Sequence, residues 1–184
     1  VDNSGILASK NMNANNVNTV LGGTNTGGVN FYNREGAATY GSIVLSGAGP
    51  DNIYFYGGSK ITGNIDGGAG GATDNLYLLG SINQTLTNTV TNFNNLYKQG
   101  SNTWTLGANY TFDSTQIEAG ALAVTNSLTS TTVSVLAPGT LQGTGTVTGA
   151  VTNDGIIAPG LANSAGSLTI TGNVTNNGTV NGYD

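Results

Sequence analysis

A chain of 184 residues with net charge −5 has only 7% charged and 37% hydrophobic side chains, and neither Cys nor His. Soluble domains usually devote about a quarter of their residues to charge; here Gly, Asn, Thr and Ser fill the gap. This composition excludes disulfides, thiolate chemistry and Cys or His metal sites, removes the usual general base, and leaves four scattered basic residues with no patch for nucleic acid.

Disorder is a poor account of the low charge, because Pro is sparse and the apolar residues are evenly spaced. No apolar run is long enough to offer a spanning helix. The N-terminus lacks the charged and apolar regions of a signal peptide. The chain opens and closes in mid-pattern, which reads as a fragment excised from something longer.

Residues 1–45 are the least regular. Asn11 to Asn18 reads as a turn-rich entry. Val17, Val20-Leu21, Val29 to Phe31 and Ile43 to Leu45 each suit a short strand, with corners at Gly22-Gly23 and Gly27-Gly28. Residues 46–98 repeat: Asn52-Ile53-Tyr54, Asn75-Leu76-Tyr77 and Asn95-Leu96-Tyr97 share one pattern. The copies recur at intervals of 23 and then 20, within the period of a solenoid rung. This spacing predicts that Ile53, Leu76 and Leu96 stack inside the coil, with Tyr54 and Tyr77 stacked on one outer face.

From residue 99 the ladder is clearest. Trp104 to Leu106, Tyr110 to Phe112, Ile117 and Leu122 to Val124 are apolar pieces, each suited to one strand and separated by Gly- and Asn-rich breaks. Ala121 to Val124, Thr132 to Leu136 and Thr144 to Val151 continue it. No window holds a 3.6-residue period, so no helix is predicted. The fold class is therefore all-β: a single-stranded right-handed parallel β-helix, three-sided, with rungs of about 20–25 residues.

These same stretches resemble a known family. YKQGSNTWTLGANYTFDSTQIEAGALAV (97–124) resembles the passenger-associated transport repeat of bacterial autotransporters. The stretches 133–160 (VSVLAPGTLQGTGTVTGAVTNDGIIAPG) and 166–180 (GSLTITGNVTNNGTV) resemble the region C-terminal to that repeat in such passengers, and 63–100 is similar to passenger rungs. The resemblance covers about residues 46–184. It implies a passenger domain of type V secretion, displayed on the Gram-negative cell surface or secreted, with a C-terminal outer-membrane barrel in the full-length chain. It implies that the Trp104 region nucleates folding near that barrel. It fixes no activity, since passengers include adhesins, aggregation factors, proteases, esterases and toxins, several of them virulence factors. One continuous domain is expected: irregular rungs at 1–45, repeat rungs at 46–98, and the repeat with its autochaperone-like rungs at 99–184.

Among candidate sites, Ser46 to Tyr54 nearly matches a calcium-binding nonapeptide, and Ala69 to Tyr77 matches its second half. Asp51 and Asp74 are therefore weak calcium candidates. Calcium needs six to eight oxygens, and two imperfect copies do not supply them. The plainer reading is that each Asp-Asn pair caps a turn. Paired Asp51 and Asp74 also suit glycosidase chemistry, but they would sit closer than an inverting pair requires and have no Arg or His neighbour in sequence. No Ser-His-Asp triad is possible. The Thr-x-Thr pairs are spaced too irregularly for ice binding. Trp104, Tyr110 and Phe112 would suit a sugar platform; packing of Trp104, Leu106, Phe112, Leu122 and Val124 is the preferred reading.

The expected function is adhesion or cell–cell self-association through an exposed polar face carrying Asn52, Tyr54, Tyr56, Asn75 and Tyr77. The expected partner is a like chain, or a host cell-surface protein or glycan. Neither cofactor, metal nor enzymatic activity is expected. The alternatives are a structural stalk and folding nucleus with activity elsewhere, and a polysaccharide-acting enzyme.

Overall fold

The computed structural model describes residues 1–8, 19–21, 27–45, 48–161 and 164–182. These residues form a parallel β-solenoid of about seven turns, and no helix occurs among them. The predicted turn-rich segment 11–18, with Val17, the Gly22-Gly23 corner and Ser46 all lie outside the described residues.

The first face is one long parallel sheet. Its strands are Asp2–Asn3, Asn30–Asn33, Asn52–Tyr56, Asn75–Leu79, Asn95–Lys98, Tyr110–Ile117, Ser127–Val135 and Thr146–Asn153. Thr169–Thr171 and Val174–Asn176 both pair with the last of these. A second side carries Ile6–Ala8, Ala38–Tyr40 and Lys60–Ile61, and further along Gln84–Leu86, Thr103–Leu106, Ala121–Val124, Thr140–Gly143 and Ile156–Leu161. Thr19–Leu21, Ser42–Val44, Ile65–Asp66 and Val90–Thr91 make the third.

Side chains alternate inward and outward along each strand, so register decides which residues meet. Ile53, Leu76 and Leu96 pair in consecutive rungs as the spacing predicts, and all three are fully buried. Phe31 extends their column on one side; Thr115, Val133 and Val151 extend it on the other. A second inward column runs Asn3, Asn33, Phe55, Leu78, Lys98, Ile117, Val135 and Asn153. On the second side Trp104, Leu122, Leu141 and Ile157 stack in the same way. Each fully buried Leu or Ile contributes roughly 1.5–3 kcal/mol. The core is therefore a set of inward files along the coil axis, apolar except where Asn3, Asn33, Lys98, Thr115 and Asn153 enter them.

Two expectations are corrected. Tyr110 to Phe112 and Ile117 do not form separate strands, because no Gly or Pro breaks the chain between them; Tyr110–Ile117 is continuous. Its inward residues are Tyr110, Phe112, Thr115 and Ile117, so the alternation slips where Asp113 and Ser114 both face outward. That slip bends the strand around the corner between the third side and the first. Ser127–Val135 bends likewise at Thr131 and Thr132. In Thr146–Asn153 the corner falls beside Gly149, at φ +137°, where a Cβ would run into the Ser130 carbonyl oxygen. The second correction concerns residues 1–45. Asn30–Asn33 sits in full register with Asn52–Tyr56 and belongs to the regular ladder.

Candidate functional site

The outer surface of the first face is built from two ladders. Asn52 donates its Nδ2 to Asn30 Oδ1 (3.0 Å), Asn75 to Asn52 (2.8 Å) and Asn95 to Asn75 (2.9 Å). Ser114 Oγ completes the file with a 2.6 Å bond to Asn95 Oδ1. Two positions along each strand, Tyr32, Tyr54, Tyr77 and Tyr97 stack with ring centroids 4.2, 4.6 and 4.8 Å apart and planes within 13° of parallel. This is the rung spacing of about 4.8 Å expressed in side chains. Burial between its neighbours pushes the Tyr54 phenol up to about 12, and their phenolate charges add to that.

The predicted contact residues Asn52, Tyr54, Asn75 and Tyr77 therefore lie together on one half-buried face. Tyr56 does not join the ladder, because it pairs in register with Leu79. It belongs instead to Arg34, which donates Nη1 to its hydroxyl (2.9 Å) and lies over the rings of Tyr32 and Tyr56. Arg34 also grips Asp2 through two bonds of 2.9 and 3.0 Å. Asn30, Tyr32, Arg34 and Tyr97 belong to this face as well, and the sequence expectation does not include them. The signal for the first two is Asn30-Phe31-Tyr32, one more Asn-apolar-Tyr copy 22 residues before Asn52.

The acids before each strand form a third file. The Asp51 amide donates to Asp74 Oδ1 (2.7 Å), and the Asp74 amide donates to Asn94 Oδ1 (2.9 Å). Asn94 Nδ2 then donates to Asp113 Oδ2 (2.7 Å), and Asp51 accepts the Val29 amide. The side chains of Asp51 and Asp74 thus tie one rung to the next rather than capping their own turns. Among the described residues no three Asp, Glu, His or Cys groups converge as a metal cage.

The packing set lies inside. Trp104, Leu106, Leu122 and Val124 are fully buried, and Phe112 nearly so. Trp104 packs on Phe55 at 5.0 Å between centroids and donates Nε1 to the Leu79 carbonyl (2.9 Å). Tyr110 is buried too, donating its hydroxyl to the carbonyls of Leu86 and Asn88, so these aromatics present no sugar platform.

In the sequence Lys98 stands only as one of four scattered basic residues. In the fold it is fully buried, and its Nζ donates to the carbonyls of Gln99, Gly100 and Ala119 at 2.9 Å each. Burial pulls its pKa down to about 8. A Cβ at Gly120 would lie 2.9 Å from that nitrogen, so the glycine leaves the ammonium its space.

No protein-family model matches this chain, and no curated protein and no solved structure matches it.

Proposed function

We propose that this chain is a segment of a surface-displayed β-helix that adheres to a like chain or to a host surface through the first face. The observation that carries the reading is the uninterrupted run of four Asn and four Tyr across consecutive rungs. A flat face repeating every ~4.8 Å offers the same weak contact many times, and repetition raises avidity. Charge is sparse on it, limited to Arg34 with its partner Asp2 at one end and Glu118, held by Gln99, beside the ladder, so two such faces approach with little repulsion. Display by an outer-membrane barrel of a Gram-negative cell belongs to this proposal and rests on the resemblance of residues 46–184.

The test displays the full protein on cells and measures clumping and binding to host surfaces. Replacing Tyr54 and Tyr77 by Ser should reduce both while surface display is unchanged. Clumping and binding that survive deletion of residues 46–184 would refute the proposal.

A second reading, a stalk and folding nucleus, draws on a different observation. Each Asn of the ladder is already bonded to its neighbours and each inner Tyr is covered on both ring faces, so the face satisfies much of itself. Under that reading the Tyr substitutions leave adhesion intact, and Trp104→Ala abolishes display.

A further inference from the structure

The first face carries a third outer file, two positions along each strand from the tyrosines. It runs Arg34, Tyr56, Leu79, Gln99 and Glu118, because Asn33 pairs with Phe55, Tyr56 with Leu79, Leu78 with Lys98 and Lys98 with Ile117. Arg34 bonds to Tyr56, and Gln99 Nε2 donates to Glu118 Oε2 (3.0 Å), in keeping with that register. On the same last rung the tyrosine file reaches Gln116 and the asparagine file Ser114. The third file thus begins with a cation and ends with an anion four rungs away, about 19 Å at ~4.8 Å per rung. Leu79 stands midway.

Two half-turns can set this face against a copy of itself with the rungs in line, and only one matches the charges. A half-turn about an axis parallel to the strands, passing in front of Leu79, makes the two coils antiparallel and sets each file against itself. Arg34 then faces the copy's Glu118 and Glu118 the copy's Arg34. Asn52 faces the copy's Asn95, Tyr54 its Tyr97, and Leu79 its own counterpart. A half-turn about the coil axis instead sets the charged file against the asparagines and leaves both charges without an opposite. Arg34 spends three of its N–H groups on Asp2 and Tyr56 and has more to give. The inner tyrosines cover one another's ring faces, so the surface offers ring edges, hydroxyls and amides. A glycan finds no open aromatic face on it, whereas a coil of the same rise meets it in step, rung after rung.

We propose that the partner of this face is a second copy of the chain, docked with its coil antiparallel, the strand ending at Arg34 in each lying against Ser114 to Glu118 in the other. This inference rests on the adhesive reading and narrows it to a like chain. A face of ~24 Å by ~17 Å covers roughly 400 Å² per copy, about half of what a stable complex usually buries. A single pair is therefore weak, and clumping requires many of them side by side.

The test follows association of the purified full chain by sedimentation equilibrium, where a weak monomer–dimer equilibrium is expected. Arg34→Glu and Glu118→Arg should each weaken it about tenfold, by setting like charges opposite at both ends. Mixing the two variants should restore it, since opposite charges then meet at both ends, and so should combining the two changes in one chain. Crosslinking gives a readout independent of charge. Leu79→Cys, the only thiol in its chain, should join its own copy through a short bismaleimide, whereas Asn30→Cys and Ser114→Cys should join only when mixed. A chain that stays monomeric, charge variants that mixing does not restore, or Asn30→Cys joining itself would each overturn the proposal. If the chain stays monomeric while replacing Tyr54 and Tyr77 still lowers binding to host surfaces, this inference falls and the adhesive reading stands. If that replacement also changes nothing, both fall.

Discussion

The rungs before residue 98 and those after it solve one problem differently. In the first group the register steps are 30, 22, 23 and 20 residues, and the outer face is dressed with long Asn and Tyr side chains that bond along the axis. In the second the steps are 19, 18 and 18 before a last one of 23, and the matching outer positions of the first three hold Ser114, Thr132 and Ala150. The later rungs replace short strands by long bent ones and rely on files of Ile, Leu and Val inside. The contrast teaches where variation is tolerated. Most inward files keep register, with shifts between Thr129 and Thr132 and between Gln142 and Gly143, while other extra residues go into corner loops and create relief on an otherwise even coil. Scaffold and surface are thus divided along the chain, with Trp104 and Lys98 at the join.

That division can be tested at its join first. Trp104→Ala removes a buried ring that reaches Phe55 in one half and stacks on Leu122 in the other; a loss of about 3–5 kcal/mol is expected in urea unfolding. A loss below ~1 kcal/mol would mean that the halves do not share this core. Lys98→Met comes next, leaving three partly buried carbonyls without their donor, at a cost of about 2 kcal/mol. Lys98 also sets a pH signature. Its folded value, about 8, lies below its ordinary 10.5, so between these the unfolded chain holds a proton that the folded chain has released. Stability should therefore rise with pH across that window, and thermal melts of Lys98→Met should lack the rise. Tyr54 and Tyr110, pushed up to about 12, act oppositely: above their ordinary 10 the unfolded chain ionises first and stability falls.

Within the later half, Gly149→Ala should cost about 2 kcal/mol, because the corner requires both its positive φ and the missing Cβ. The smallest effect is expected on the ladder. Asn75→Ala breaks the bonds to Asn52 and Asn95 and should cost about 1 kcal/mol while leaving register unchanged by hydrogen exchange. A much larger loss would mean that the outer ladder holds the early rungs together more than the core does.

Much of this architecture is legible in the sequence because a solenoid writes its period in one dimension. Three copies of Asn-apolar-Tyr are enough to place Ile53, Leu76 and Leu96 in one file. The fourth copy, Asn30-Phe31-Tyr32, is visible but stands among irregular neighbours. Corners are harder to read. A bend made by two successive outward residues, as at Asp113 and Ser114, leaves no Gly or Pro behind it. Lys98 is illegible because three main-chain carbonyls solvate it, and main-chain geometry has no sequence code.

The axial direction of these bonds has a mechanical consequence. Rungs pulled apart along the coil would detach one after another, each releasing a length set by its own loop. At roughly 3.5 Å per residue an early rung of 23 residues yields about 80 Å and a late one of 18 about 63 Å. Stretched from its ends, the molecule would therefore extend in unequal steps, and the step that frees Lys98 from Ala119 would mark the passage from one kind of rung to the other.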